Sequence, residues 1–284
     1  MKYTLKNVTA FELVDIFECG QCFRWNEKPD GSYIGVVENA VIEVVKNGND
    51  VIFESNSDNL EEVVTKYFDL ERDYEQIKQT LSNIDENLAQ SIAYGKGIRL
   101  LNQDLWETII SFIISANNNI PRIKKIIETL SKTYGKAIEF KGETYYTFPK
   151  PEELASVTIE DFRKAGLGFR DKYVYKVVQM VKNGQLDLKE LEKIEETSKI
   201  REILLSLPGV GEKVADCILL FSSLKRLEVF PIDVWVRRVM NELYLKQEDE
   251  TKVDKKQIQK LAIEKYKNLA GIAQQYLFYW KRGA

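Results

Sequence analysis

The stretch Leu207-Pro208-Gly209-Val210-Gly211-Glu212-Lys213-Val214-Ala215-Asp216-Cys217, followed by Asp233 in Phe230-Pro231-Ile232-Asp233-Val234, decides how the chain is read. Leu-Pro-Gly-Val-Gly sets a glycine hairpin directly before an apolar-periodic helix. The first N–H groups of such a helix have no partner inside it, so they suit a phosphate. Lys213 falls on the first turn, where the positive end of the dipole favours the neutral, nucleophilic form of an amine. Asp233 lies 20 residues further on (233 − 213) and reads as an N-cap or as a carboxylate aimed at the same cleft. A lysine amine beside a carboxylate is able to attack a sugar carbon and stabilise the cation that forms there. The same residues also fit a non-catalytic DNA-binding hairpin with a solvated lysine and a capping aspartate. On their own they leave both readings open.

The rest of the composition narrows the chemistry. The chain has 284 residues and no histidine, which removes the commonest general base and metal ligand together. Three cysteines, Cys19, Cys22 and Cys217, are too few for a disulfide framework, and Cys19-Gly20-Gln21-Cys22 has no second pair with which to build a four-ligand zinc site. A thioredoxin-like redox role needs a βαβ context that the sequence does not offer, so Cys22 is expected to pack under a sheet as a small apolar residue. No apolar run of ~18 residues and no signal-peptide core occurs, so no membrane partner is expected and the chain should stay in the cytoplasm.

A net charge of −3 argues against a uniformly basic nucleic-acid binder, but its distribution is uneven. Glu54 to Glu75 carries eight acids against two bases, whereas Phe162 to Lys182 carries six bases against Asp171 alone. An acidic protein with a basic middle can still present a DNA-facing side.

Residues 1 to about 56 read as an antiparallel meander: the runs Tyr33–Val37, Val41–Val45 and Val51–Phe53 are separated by turn chemistry at Pro29-Asp30-Gly31, Asn39-Ala40 and Asn47-Gly48-Asn49-Asp50. From Asn59 the period becomes helical and is expected to stay so to the C-terminus. Leu105, Ile109, Phe112 and Ile113 form one apolar stripe, ending at Asn117-Asn118-Asn119; Val214, Cys217, Ile218 and Phe221 form another. The fold expected is α+β, an N-terminal antiparallel β-sheet domain with flanking helices over 1–95 and an all-helical domain over 96–284.

The Leu207–Cys217 hairpin with Asp233 resembles the helix-hairpin-helix, Gly/Pro-Asp signature of DNA glycosylases. Gly20-Gln21-Cys22-Phe23-Arg24-Trp25, Asn117-Asn118-Asn119-Ile120, Gly166-Leu167-Gly168-Phe169-Arg170 and Ala273-Gln274 through Phe278 narrow the resemblance to 8-oxoguanine DNA glycosylases, in order and across both domains. The resemblance implies a bifunctional glycosylase and lyase acting on double-stranded DNA that contains 8-oxoguanine, as a monomer and without a catalytic cofactor. Lys213 would be the nucleophile and Asp233 its acidic partner. Gly20, Cys217, Phe221, Gln274 and Phe278 would form the pocket for the flipped base, with the Gly20 carbonyl accepting from the N7–H that distinguishes the oxidised base. Asn117 would enter the stack, Phe169 would wedge the opposite strand, and Arg122 and Arg170 would read the estranged cytosine. Gly209, Gly211, Val214 and Trp235 would meet the DNA backbone, and the carbonyls of Leu205, Leu207 and Val210 would hold a monovalent cation.

The spacing speaks separately: Gln274 and Phe278 are four residues apart on one helical face, as are Lys213 and Cys217. Three positions depart from the family pattern. Trp235 stands where histidine is frequent, Phe169 where tyrosine is usual, and Phe221 where a smaller methionine lines the pocket. Iron–sulfur glycosylases of related type carry four cysteines after the hairpin, which this chain lacks, and alkylated-base glycosylases lack the lysine. The reading from a different class is a catalytically silent helix-hairpin-helix module that binds damaged DNA.

Overall fold

The structure, a computed structural model, describes residues 1–249 and 253–283. Its N-terminal sheet contains β1 (Lys2–Leu5), β2 (Trp25–Glu27), β3 (Tyr33–Val37), β4 (Ala40–Asn47) and β5 (Asp50–Ser55), with a short helix α1 (Leu13–Phe17) between β1 and β2. All neighbours are antiparallel in the order β1-β5-β4-β3-β2, so β2 to β5 form the meander and β1 closes the edge beside β5. Asn47 pairs with Asp50 across Gly48-Asn49, a two-residue turn in which Gly48 takes φ +60°.

Helices α2 (Leu60–Tyr67), α3 (Tyr74–Ser82), α4 (Glu86–Tyr94), α5 (Leu105–Ser115) and α6 (Ile120–Tyr134) follow. The helical period does not then run to the C-terminus: β6 (Ala137–Phe140) and β7 (Glu143–Tyr146) form a two-stranded hairpin. The physical reason lies on the sheet. Ile34, Val36 and Val41 face away from the main core, and Ile138, Phe140 and Tyr145 of the hairpin cover them. Both faces of β3 are thereby buried.

The remaining helices are α7 (Pro151–Leu154), α8 (Ile159–Lys164), α9 (Asp171–Lys182), α10 (Leu188–Lys193), α11 (Thr197–Ser206), α12 (Glu212–Phe221), α13 (Val234–Met240), α14 (Lys255–Tyr266) and α15 (Ala270–Gly283). Aspartate side chains cap α3, α4, α5, α10, α13 and α14, fixing where each helix begins. No helix among the described residues is long and apolar enough to cross a membrane.

Two cores result. Under the sheet, Phe17 stacks on Trp25 with centroids 4.3 Å apart, and Phe68 packs among Phe11, Phe17, Trp25 and Phe53. In the helical part, α5 and α12 pack together as almost wholly buried helices. Helix α15 lies against α4 and α13, and its Gln275 reaches the Cys19 carbonyl in the N-terminal segment.

Candidate active site

The hairpin Leu207–Gly211 joins α11 to α12. Gly209 has φ +84°, and a Cβ there would come within 2.9 Å of the Tyr173 ring, so backbone and packing on α9 both require glycine. Gly211 has φ −97°, and its Cβ would meet nothing within 4 Å. Helix α12 starts from Gly211 without a side-chain cap. Leu207 accepts a hydrogen bond from Val210 N–H at 3.1 Å, which uses one of its two lone pairs.

One cavity of about 50 Å³ is lined by Gly20, Lys213, Cys217, Phe221, Asp233, Gln274 and Phe278. It opens toward a cleft of about 1160 Å³ that shares Gly20, Lys213, Asp233 and Phe278 and adds Asn117, Val214 and Trp235. The elements explain the convergence. Lys213 and Cys217 stand one turn apart on α12, and Gln274 and Phe278 one turn apart on α15. Asp233 ends the Pro231-Ile232 segment and caps α13, its Oδ1 accepting from Val236 N–H at 2.7 Å. Gly20 takes φ +86°, and a Cβ there would lie 3.2 Å from Arg282 Nη1 and 3.5 Å from Phe278 Cε1.

The polar groups in this cavity are unevenly satisfied. Gln274 is buried, yet its Oε1 has no hydrogen-bond partner. An orphaned buried acceptor costs about 1–3 kcal/mol, so it marks a place where a donor is to arrive. Burial pushes the Cys217 thiol up to about 11, with the neighbouring Lys213 charge acting against the rise. Cys217 is therefore a neutral wall at neutral pH. Lys213 Nζ lies 5.3 Å from the centroid of the Phe112 ring, and Phe112 stacks on Phe221 at 5.7 Å.

Around the cleft, Asn117 sits in the left-handed region at φ +51° and is exposed. Asn118 donates to Ile114 O and Asn119 caps α6, whereas Asn117 has no side-chain hydrogen bond among the described residues. Arg170 is buried; its Nε donates to Ala116 O at 2.9 Å and its Nη2 to Asn117 O at 2.8 Å. Its guanidinium thus holds the Asn117 turn in place. Burial first, then the Arg122 charge, lower the Arg170 pKa. Phe169 is 59% exposed and Trp235 48% exposed. Arg122 is exposed beside Gly168, and Leu205 is half-exposed on the last turn of α11.

Two family models match. The N-terminal domain of 8-oxoguanine DNA glycosylase covers residues 4–109, and the HhH-GPD superfamily of base excision DNA repair proteins covers 110–274. The chain is 33% identical over 239 residues to a probable N-glycosylase/DNA lyase of Methanothermobacter thermautotrophicus, covering 77% of this chain and 74% of that one. The chain belongs to the 8-oxoguanine DNA glycosylase/lyase family. The N-glycosylase/DNA lyase of Saccharomyces cerevisiae is 32% identical, covering 84% of this chain and 69% of that one. Among solved structures, the 8-oxoguanine glycosylase/lyase of Clostridium acetobutylicum in complex with double-stranded DNA containing cytosine opposite 8-oxoguanine superposes with TM-score 0.92 at 43% identity, covering 100% of this chain and 98% of that one.

Within this glycosylase, several cleft residues were not singled out from sequence. Phe112 read as a core position, because helical spacing does not tell a cavity wall from a core. Arg237, Lys255 and Arg282 line the cleft from three separate elements, and only the fold brings them together. Both thiols of the C-x-x-C pair are buried. Cys22 is buried in the sheet core, and burial raises Cys19 to about 12 and Cys22 well above the ordinary thiol. A separate hollow of about 590 Å³ at the N-terminal end of α5, around Trp106 and Phe148, contains none of the residues singled out.

Proposed function

We propose that this glycosylase extrudes 8-oxoguanine from duplex DNA into the small cavity and cleaves there through Lys213. The observation that carries the reading is the convergence of Lys213, Asp233 and five wall residues on one cavity with an unpartnered amide oxygen. The cavity is small, about 50 Å³, and gives onto the larger cleft through which a base would enter. Phe278 is a partly buried wall of that cavity.

In this reading the base lies between Phe278 and Cys217, beside Phe221. Gln274 engages its Watson–Crick edge, and the Gly20 carbonyl accepts from N7–H. Guanine offers an acceptor at that position, so one reversed hydrogen bond leaves buried polar groups unpaired and disfavours it. Lys213 Nζ bonds to C1′ as the N-glycosidic bond breaks, and the base leaves with the electron pair and takes up a proton. Asp233 stabilises the positive charge that develops on the sugar. Ring opening gives a Schiff base; loss of a C2′ proton then expels the 3′ phosphate by β-elimination.

Asn117 fills the gap and Phe169 wedges the opposite strand. Arg122 reads the orphaned cytosine; for Arg170 to join it, the bonds to Ala116 and Asn117 must be exchanged. Gly211 demands no glycine for the protein's own packing, which suits a phosphate approaching the uncapped start of α12, with Gly209, Val214 and Trp235 flanking it. The Leu205, Leu207 and Val210 carbonyls would hold a monovalent cation beside that phosphate. Monomeric action and a division at residue 95 belong to the same proposal.

Borohydride trapping tests it, on a duplex with one 8-oxoguanine opposite cytosine, an undamaged duplex, and the Lys213→Gln variant. The expected result is a covalent adduct that needs both the lesion and Lys213. If damaged DNA is bound but no adduct forms and the base stays in place, the chain is a silent damage-binding module.

A further inference from the structure

Adjacent glutamines on α15 have opposite fates. Gln274 leaves its Oε1 without a partner, whereas Gln275, 2% exposed, donates from Nε2 to Cys19 O at 2.6 Å. Cys19 directly precedes Gly20. On the other side of Gly20, the carbonyl of Gln21 accepts from Gln103 Nε2 at 2.8 Å, and the same Nε2 lies 3.1 Å from Phe221 O. The Gln21 side chain is itself locked: it donates to Ile16 O at 2.9 Å and Arg99 O at 2.7 Å and accepts from Leu101 N–H at 2.9 Å. All three glutamines are buried.

Buried amides are costly unless fully bonded, so such a network specifies one geometry. What it surrounds is a glycine at φ +86°, the residue type with the most backbone freedom. Anchoring Cys19 O and Gln21 O at the two ends of the Gly20-Gln21 segment restrains that freedom. The Gln103 bridge to Phe221 also ties the Gly20 side of the cavity to the Phe221 side.

We propose that Gln275 and Gln103 are positioning residues for base selection: they anchor the Cys19 carbonyl, in the peptide before Gly20, and the Gln21 carbonyl, one peptide beyond that of Gly20 itself, so that the Gly20 carbonyl between them meets N7 of the flipped base at one distance. The inference rests on the reading of Gly20 given above. A fixed acceptor rewards N7–H and repels a bare N7, while an acceptor free to swing away tolerates both.

The test is Gln275→Met, which keeps length and apolar stem but removes the donor. Single-turnover base release from a duplex with 8-oxoguanine opposite cytosine is compared with strand cleavage of a duplex carrying an abasic site, which needs Lys213 but no base pocket. Competition by undamaged guanine duplex gives the selectivity. Expected is a fall of about 10–100-fold in 8-oxoguanine release, the size of effect a misplacement of about 1 Å produces, with narrowed selectivity and unchanged abasic cleavage. Equal losses in both reactions would make Gln275 a general structural residue and overturn the proposal; so would no loss in either. Gln103→Met removes the second anchor from a different element, carries the same expectation, and substitutes if Gln275→Met does not fold. Wild-type protein that neither forms an adduct nor cleaves the abasic site would instead sink the underlying reading of Lys213, which is a separate failure.

Discussion

The sheet half and the cleft half of the molecule treat their aromatic side chains in opposite ways. Beneath the sheet, Phe17, Trp25, Phe53 and Phe68 are buried against one another, and the Trp25 indole N–H reaches the Tyr67 hydroxyl at 2.9 Å. At the cleft, Phe169 and Trp235 stand 59% and 48% exposed, while Gln274 Oε1 and Arg237 Nε lack partners. Both halves leave some buried polar atoms unpaired, Tyr33 Oη and Arg24 Nη1 under the sheet among them, so what sets the cleft apart is its exposed aromatic rings beside the unpartnered Gln274 Oε1.

The largest effect expected separates chemistry from folding. Lys213 lies against the Phe112 ring and the Cys217 thiol and forms no ion pair among the described residues. Lys213→Gln should therefore leave the thermal unfolding curve in place and reduce strand cleavage by about 10⁴-fold or more, equivalent to roughly 5 kcal/mol. Retained cleavage would mean that another amine does the work and that the cleft is open for a different reason. Next comes the sheet half. Phe68→Ala removes a fully buried ring that touches five other aromatic side chains, and should cost about 3–5 kcal/mol in denaturant unfolding. A loss under about 1 kcal/mol would show that this core is looser than its packing indicates.

How much of this was legible in the sequence follows the same division. Strand β3 and the Gly48-Asn49 turn were readable because they depend on neighbours a few residues away. The β6–β7 hairpin was missed although Lys141 and Gly142, both at positive φ, stand between two short alternating runs. Its strands are four residues each, and their apolar side chains cover a sheet about 100 residues upstream, a demand no local window contains. Within the cavity, the one-turn spacings of Lys213 with Cys217 and of Gln274 with Phe278 could be read along the chain. That the two pairs face each other across Gly20 depends on α15 returning to the start of the chain, which the Gln275–Cys19 bond spans over 256 residues. The family pattern supplied that closure where spacing could not. It did not supply Arg170's present role, because carbonyls that hold a guanidinium leave no mark in composition.

The sheet side has a less comfortable contact of its own, and it gives the comparison a pH handle. Glu107 at the start of α5 lies 3.6 Å from Arg24 Nη1, which has no hydrogen-bond partner. Burial, only partly offset by Arg24, raises the Glu107 carboxyl to about 7. Its folded pKa lies above the unfolded value of ~4.3, so the folded state holds the proton more tightly. The resulting stabilisation is fully present below about pH 4.3 and is lost as pH rises through about 7. Wild-type protein should lose up to about 3.7 kcal/mol from this group between those limits, and Glu107→Gln should flatten that part of the profile. An unchanged profile in the variant would assign the pH dependence to other carboxyls. DNA binding at the far end of α5 should not follow this titration.

The smallest expected change in stability is the sharpest check on the contrast. Phe169→Ala makes the same truncation as Phe68→Ala, but on a ring whose neighbours are the Tyr173 edge at 6.4 Å and the Arg170 guanidinium at 4.3 Å. Most of its surface already meets water, so its removal should change unfolding free energy by less than about 0.5 kcal/mol. If the ring is there to enter a base stack, affinity for the lesion duplex should fall by about 1–3 kcal/mol at fixed salt. A stability loss comparable to that of Phe68→Ala would place Phe169 in the fold and remove it from the DNA face. Loss of affinity without loss of stability would mean that the exposed ring is held at the surface for its partner, with Arg170 beneath it serving as the platform that links the wedge to the Asn117 turn.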